Sequence, residues 1–462
     1  MFSVFDIPVL DLNNPQPAPN VDGGGARVYV ETYGCAMNTS DSEILLGILK
    51  PHGYTATDRP DDADVILINT CAIRDNAERR IHDRLRHMKF FKRKNRRLVV
   101  GVLGCMAERL RSTLLETQLV DLVVGPDEYR NVPELIAAAY EGERGIAVKL
   151  SRVETYADIV PLRTEGISAW VSIMRGCDKF CTFCVVPFTR GRERSRPLAS
   201  VVDEVKGLYE GGFKEITMLG QNVNSYRDEA NGADFSDLLS RVARAVPQMR
   251  IRYSTSHPQD MSDKLIDTMA EHNNICKYVH LPVQSGSNRI LELMNRTYSV
   301  SHYLERIARI RAIMPDAALS TDVISGFCTE SEDDHQQTLQ LMRDVRYDGA
   351  YMYAYSPREN TKAWKMGDDV PDEVKSRRLE EIIEQQRLIS EELNIVEVGK
   401  TMGVLVEGRS KRSEHDWIGR TDSNKKVIFP HDGLAGYSVG DIVNVTVERA
   451  NSATLFGALA TP

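Results

Sequence analysis

Met174-Arg175-Gly176-Cys177-Asp178-Lys179-Phe180-Cys181-Thr182-Phe183-Cys184 continues the β-rich run Ala169–Met174. Its cysteines are spaced C-x3-C-x2-C, one thiolate short of the four that usually hold an iron–sulfur cluster. A four-iron cluster on three cysteines keeps one iron open. An open iron can bind a small molecule and pass it an electron, which suits catalysis more than structure. Two plainer readings compete. A zinc site favours C-x2-C pairs with a second pair or histidines nearby, and no histidine lies near Cys177–Cys184. Three unligated thiols rarely crowd into so short a stretch.

The same run opens a series of six. Glu215–Leu219 leads into Gly220-Gln221-Asn222, Arg250–Ser254 into Thr255-Ser256-His257-Pro258, and Tyr278–Gln284 follows. Ala318–Ile324 then leads to Gly326, and Gly349–Tyr355 to Ser356-Pro357-Arg358. Strands alternating with helical patterns predict a parallel (β/α) barrel, partial or full, over 165–395. Such a barrel carries its ligand chemistry on the polar loops after the strands, and the triad occupies the first of them.

Three more cysteines share a related pattern. Arg27–Gly34 leads to Cys35, Val65–Thr70 to Cys71, and Leu98–Gly104 to Cys105. Between them Ser40–His52, with Asp41 and Ser42 as caps, and Arg74–Lys94 read as helices. This alternation predicts an N-terminal parallel-sheet domain of the α/β class over 26–150, extended by Val120–Gly125. The carboxyl ends of parallel strands share one edge. Cys35, Cys71 and Cys105 should therefore converge as a second three-thiolate set. Three loop cysteines that never meet are the plain alternative.

From Gly399 the pattern shortens to Thr401–Glu407, Val427–Phe429, Ile442–Val447 and Thr454–Gly457, which predict a small antiparallel β-barrel over 398–462. Its Lys411, Arg412, Arg420, Lys425 and Lys426 are offset by Glu414, Asp416 and Asp422, so charge alone does not mark it as RNA-binding. Trp417 could stack on a base, but reads rather as barrel core. Residues 1–25 read as a flexible lead-in, without the basic and apolar regions of a secretory signal. At 462 residues, 42% hydrophobic and 27% charged, the composition is that of an ordinary globular protein. No apolar run approaches the roughly 20 residues that span a bilayer. Eight cysteines without a secretory signal imply reduced thiols and a cytoplasmic location.

The net charge of −8 carries no global sign of nucleic-acid binding. Basic residues cluster locally, however. Arg79, Arg80, Arg84, Arg86, Lys89, Lys92, Arg93, Lys94, Arg96 and Arg97 surround a single acid, Asp83. A second group, Arg190, Arg192, Arg194 and Arg196, directly follows the triad. A charge run is usually a solvated face. The position of the second group beside the triad marks Arg190, Arg192 and Arg194 as candidate phosphate contacts.

The spacing Cys177-x3-Cys181-x2-Cys184 resembles the signature of radical SAM enzymes. The wider string RGCDKFCTFCVVPFTRGR, Arg175–Arg192, resembles their methylthiotransferase branch. INTCAIRDNAE (Ile68–Glu78), LGQNVNSY (Leu219–Tyr226) and HLPVQSG (His280–Gly286) are similar to the MiaB-type tRNA methylthiotransferases within it. The likeness runs from Val28 almost to the end of the chain.

That resemblance implies an auxiliary four-iron cluster on Cys35, Cys71 and Cys105, a second on Cys177, Cys181 and Cys184, and a C-terminal TRAM-like barrel that binds RNA. It implies S-adenosyl-L-methionine at Gly220, Gln221, Asn222, Ser254, Gln284 and Asp322. The expected reaction adds a methylthio group to carbon 2 of N6-isopentenyladenosine beside the tRNA anticodon. Carbon 2 is an unactivated aromatic position, and sulfur insertion there needs a radical. The triad cluster would reduce S-adenosylmethionine to a 5′-deoxyadenosyl radical, and the second cluster would carry or surrender the sulfur. Expected partners are the tRNA anticodon stem-loop and a flavodoxin- or ferredoxin-type electron donor. A monomer with no membrane association is expected, and the sulfur donor stays open.

Some positions depart from the wider superfamily. A GGE-like motif reads Gly220-Gln221-Asn222, and Cys328-Thr329 stand where many relatives have Pro-Gly. Cys276 reads as a core thiol and Cys328 as a neutral variation, and His257 and His280 as satisfied strand-end histidines. Sister enzymes acting on threonylcarbamoyl-adenosine in tRNA or on a ribosomal-protein aspartate are the alternatives. Asn69–Arg74, Ser254–Pro258 and Val283–Gly286 favour the isopentenyl enzyme. A non-catalytic iron–sulfur RNA-binding protein is the alternative outside enzymes.

Overall fold

The structure, a computed structural model, describes residues 25–72, 75–163, 166–431 and 436–460, with side chains throughout except at 75–79. The anticipated lead-in 1–25 thus lies almost wholly outside the described residues, as do Ile73, Arg74 and the Arg79 side chain. The chain forms two compact units. One holds residues 25–163 with 172–178 and 184–196; the other holds 166–171, 179–183 and 197–460.

In the first unit, the apolar runs Val65–Thr70, Val99–Gly104 and Leu122–Val124 are buried on both faces and join three more exposed runs to make six strands. These are β1 (Arg27–Thr32), β2 (Thr55–Ala56), β3 (Val65–Thr70), β4 (Val99–Gly104), β5 (Leu122–Val124) and β6 (Gly145–Ala147). They pair in parallel in the order β2-β1-β3-β4-β5-β6. Four helices cover the sheet: α1 (Ala36–Leu49), α2 (Asp75–Lys94), α3 (Cys105–Leu110) and α4 (Val132–Tyr140). Alternate strand residues serve opposite faces. Val65, Leu67, Val99 and Leu103 pack with Ile44, Leu45 and Ile48 of α1. Ile66, Ile68, Val100 and Val102 pack with Ile81, Leu85 and Met88 of α2. Each of these large apolar side chains contributes about 1.5–3 kcal/mol on burial.

Two expectations are corrected here. The first helix starts four residues early, with Cys35 in the N-cap position. Asp41 and Ser42, expected as caps, lie inside it and are buried. Strands β2 and β6, two and three residues long, were too short to show periodicity. The first unit also carries a short antiparallel pair, Met174–Arg175 with Arg194–Ser195.

In the second unit, numbering that pair β8 and β9, the sheet strands are β7 (Ser168–Ser172), β10 (Glu215–Leu219), β11 (Arg250–Tyr253), β12 (Tyr278–His280), β13 (Ala318–Ser325) and β14 (Gly349–Ala354). They form two three-stranded sheets, β7-β10-β11 and β12-β13-β14. Ile251 joins the halves, donating to Asn274 O at 2.8 Å and accepting from Cys276 N at 2.9 Å. The six strands thus follow chain order, as repeated βα units require.

Five strands close the C-terminal barrel in the order β15-β16-β17-β19-β18: β15 (Thr401–Ser410), β16 (Ser413–Arg420), β17 (Lys426–Pro430), β18 (Ile442–Ala450) and β19 (Leu455–Leu459). Strand β16 was not anticipated, because SEHDWIGR hides its alternation under charge. Trp417 on it joins Val404, Val406, Phe429, Val445 and Leu455 in the core. Two arginines of β11 hold this barrel. Arg250 donates to Arg420 O and Gly403 O, and Arg252 to Thr421 O and Asp422 O. No helix among the described residues is long and apolar enough to cross a membrane.

Candidate metal centres and ligand site

In the first unit the strands bearing Cys35, Cys71 and Cys105 are neighbours. Their ends are in register, with Thr32 opposite Asn69, and Thr70 opposite Gly104. Cys71 and Cys105 follow β3 and β4 directly, and Cys35 follows β1 after a two-residue turn. The Asn38 and Asn69 side chains clasp these ends together. Asn38 Nδ2 donates to Asn69 Oδ1 at 3.2 Å and to Thr70 O at 3.1 Å, while Asn69 Nδ2 donates to Asn38 O at 2.8 Å. Gly34 shows how close the approach is. Its φ is +135°, and an added Cβ would lie 2.7 Å from Cys71 Cβ. The second expected set of three thiols is therefore gathered at one sheet edge.

Behind these thiols lies a buried ionic network that composition did not reveal. Asp41 accepts from Arg175 Nη1 at 2.8 Å and from Arg190 Nη2 at 2.8 Å. Asp127 accepts from Arg194 Nη2 at 2.7 Å. Tyr156 stacks under Arg175, its ring centroid 5.0 Å from the guanidinium carbon. Burial works against the charge of Asp41, but Arg175 and Arg190 outweigh it and hold the carboxyl below its usual range. Arg190 Nε donates to Cys105 Sγ at 3.2 Å. Burial pushes the Cys105 thiol up, and Arg190 opposes that.

This network corrects the reading of the second basic cluster. Arg190 and Arg194 are buried and committed to carboxylates, so neither is available to grip phosphate. Only Arg192 of the three is exposed, paired with Asp178 at 2.5 Å. The missed partner, Asp41, did carry a signal. It stands three, four and seven residues before Ile44, Leu45 and Ile48, which puts it on the apolar stripe of its helix.

Cys177 and Cys184 also belong to the first unit. Cys177 N donates to Gly191 O at 3.1 Å, and Cys184 Sγ accepts from Val186 N at 3.5 Å. Gly176, at φ +76°, passes so close to the Arg192 carbonyl that no side chain fits.

Cys181 lies in the second unit, where Arg296 Nη1 donates to its sulfur at 3.2 Å. Its loop is pinned by Asn295, which donates to Lys179 O and Phe180 O, and by Thr182 N bonded to Met294 O. The expected ligand residues form two groups. Gly220–Asn222 and Ser254 follow β10 and β11, whose loops are tied by Val223 N to Thr255 O at 3.0 Å. Gln284 and Asp322 adjoin through Gln284 N to Asp322 O at 2.8 Å. Asn222 Nδ2 and Lys179 Nζ converge on Asp260 at 2.6 and 2.7 Å.

Several buried acceptors there have no partner among the described residues: Gln221 Oε1, Asn222 Oδ1 and Asn224 Oδ1. Buried acceptors without donors are costly, and together they suit a cationic ligand head such as an ammonium group. His257, missed as more than a strand-end residue, is buried beside them. Burial, then Arg296 and Lys179, push its pKa down to about 2, so its ring stays neutral. His280 is satisfied by Ser320 at 2.9 Å, Cys276 is a buried core thiol as anticipated, and Cys328 is buried too.

The donor chemistry also fits the first unit's cysteines. Three soft thiolates suit iron–sulfur ligation, and the buried Arg190 Nη1 beside them has no partner among the described residues.

Comparison with known proteins finds three family matches along the chain. Residues 27–125 match the uncharacterized protein family UPF0004, residues 171–342 the radical SAM superfamily, and residues 396–460 the TRAM domain. The fold and cysteine pattern define a radical SAM protein with an N-terminal parallel-sheet domain and a C-terminal TRAM barrel. The tRNA-2-methylthio-N(6)-dimethylallyladenosine synthase of Chloroherpeton thalassium is 54% identical over 94% of this chain and 96% of its own. That of Parabacteroides distasonis is 52% identical over 93% and 95%. The chain belongs to this synthase family. Among solved structures, the radical S-adenosylmethionine methyltransferase TsrM of Kitasatospora setae, with cobalamin and a [4Fe-4S] cluster bound, has a TM-score of 0.57 at 15% identity. That match covers 73% of this chain and 74% of TsrM, and is a likeness of fold alone.

Proposed function

We propose that this chain methylthiolates carbon 2 of N6-isopentenyladenosine beside the tRNA anticodon, using S-adenosylmethionine and two four-iron clusters. One observation carries the reading: Cys35, Cys71 and Cys105 stand at three adjacent, in-register strand ends, a second three-thiolate set in a chain that already has the C-x3-C-x2-C triad. A plain methyltransferase needs neither set. When bound, one cluster would supply an electron for S-adenosylmethionine cleavage and the other would carry or surrender the sulfur.

The remaining roles fall to side chains. Cys35, Cys71 and Cys105 hold one cluster, and Cys177, Cys181 and Cys184 the other. Gln221 and Asn222 present amide oxygens to the methionine ammonium, while Ser254, Gln284 and Asp322 line the ligand beyond it. Arg296 orients Cys181 and, with burial, keeps His257 neutral. The tRNA meets exposed basic residues of α2, among them Arg86, Lys89 and Arg93, together with Arg192 and the C-terminal barrel. The working domains are 26–150, 165–395 and 398–462, acting as a cytoplasmic monomer fed by a flavodoxin- or ferredoxin-type donor.

Nucleoside analysis of tRNA from a strain lacking the gene tests this reading. Isopentenyladenosine should accumulate and its 2-methylthio derivative vanish. Unchanged methylthio content would refute it, and loss of a threonylcarbamoyl product instead would move the assignment to the sister enzyme.

A further inference from the structure

We propose that Arg190, held in place by Asp41, is a positioning residue that sets the charge around the cluster on Cys35, Cys71 and Cys105 and raises its reduction potential. This rests on the reading that those cysteines hold a four-iron cluster.

Around Asp41 and Asp127, three buried guanidinium groups, those of Arg175, Arg190 and Arg194, share two carboxylates. A buried cation without an anion is strongly unfavourable. Arg190 pairs with one carboxylate only, that of Asp41, and its Nε lies 3.2 Å from the Cys105 sulfur. Asp41 fixes the guanidinium plane through Nη2 at 2.8 Å, which leaves Nε aimed at the sulfur and Nη1 without a partner among the described residues. Arg175 holds the other oxygen of Asp41 at 2.8 Å, and the Tyr129 hydroxyl donates to Asp41 Oδ2 at 3.4 Å. The carboxylate therefore has little freedom to turn.

An oxidised four-iron core on three thiolates carries a net charge of about −1, and one-electron reduction takes it to about −2. A fixed positive charge favours the more negative state, and a hydrogen bond to a ligating sulfur acts in the same direction. Arg190 supplies both. Asp41 partly cancels the charge while holding the geometry, so the two residues should pull the potential in opposite directions. A purely structural ion pair has no such signature.

The test uses the full chain with Cys177, Cys181 and Cys184 changed to Ala, which isolates the second cluster. Iron content and the midpoint potential of the reduced cluster, followed by electron paramagnetic resonance, are measured with and without Arg190→Gln, Arg190→Lys and Asp41→Asn. Arg190→Gln should lower the equilibrium constant for reduction at least tenfold, a shift of about 59 mV for one electron. Asp41→Asn should shift it the opposite way, and Arg190→Lys should restore most of the loss. Retained iron with unmoved potentials, or shifts of the same sign, would overturn the proposal. If Arg190→Gln cannot load iron, the near-isosteric Asp41→Asn decides by its sign. Unfolding of both variants would make the network structural and also overturn it. Absence of iron from the parent triple variant is a separate outcome, and would remove the cluster reading itself.

Discussion

Changing Arg252 to Met should loosen the C-terminal barrel from the strands that carry it. The Arg252 guanidinium donates to Glu215 Oε2 at 2.8 Å, to Asp422 O at 2.8 Å and to Thr421 O at 2.6 Å. Both Arg252 and Glu215 side chains are only 8% exposed. Met fills similar space but leaves Glu215 buried without its cation, a loss of about 3–5 kcal/mol. Removing both charges, with Arg252→Met and Glu215→Leu together, should restore most of it, because no unpaired charge then remains. Amide hydrogen exchange of β10, β11 and β16 reads this locally. At tenfold per about 1.4 kcal/mol, exchange in the single variant should speed up by roughly two to more than three orders of magnitude. It should fall back by at least tenfold in the double variant. A single variant that exchanges within threefold of the parent, or a double variant as fast as the single, would show that the Arg252–Glu215 pair does not hold the barrel.

Other outcomes follow from the same geometry. Lys89, Arg93 and Arg96 changed together to Ala should weaken tRNA binding and reduce the slope of log affinity against log salt by roughly one for each phosphate no longer neutralised. Arg194→Ala should leave that slope unchanged while lowering thermal stability, because Arg194 serves Asp127. Glu108 tests pH dependence: burial, opposed by Arg111, pushes its pKa up to about 7. The folded chain then holds a proton that the unfolded chain has released, so stability should fall as pH rises from about 4.5 to 7. Glu108→Gln should flatten this trend in denaturant titrations, raising the midpoint at pH 8 but not at pH 4. Trp417→Ala should cost the barrel about 3–5 kcal/mol, visible as early loss of its exchange protection. A Trp417 that served only to stack bases would leave stability untouched.

Much of this architecture was legible in the sequence because strand periodicity and strand-end cysteines are local signals. The runs ending at Thr70 and Gly104 declare a strand and the cysteine that follows it in a few residues. Asp41 was misread for the same reason. Local chemistry makes Thr39-Ser40-Asp41-Ser42 a cap, and only the arginines returning 134 and 149 residues later make Asp41 an internal anion. The arginines after the triad suffered the complementary error: their charge was plain, but burial depends on distant partners. Strand β16 stayed hidden because a barrel strand needs apolar residues on one face only, and Glu414 and Asp416 sit among its outward positions. The orphaned amide oxygens of Gln221 and Asn222 could not be inferred, since satisfaction of an acceptor is a property of the folded surroundings.

The register of β1, β3 and β4 has a consequence for how this chain can vary. The thiol separations are set across the sheet, by interstrand hydrogen bonds that hold neighbouring strands about 4.8 Å apart. They are not set along the chain, where Cys71 follows Cys35 by 36 residues and Cys105 follows Cys71 by 34. Insertions or deletions in the crossover segments after α1 and α2 can therefore lengthen or shorten those intervals without moving a sulfur. A single residue added inside β3 or β4 would shift one thiol by a full strand step and turn it to the opposite face.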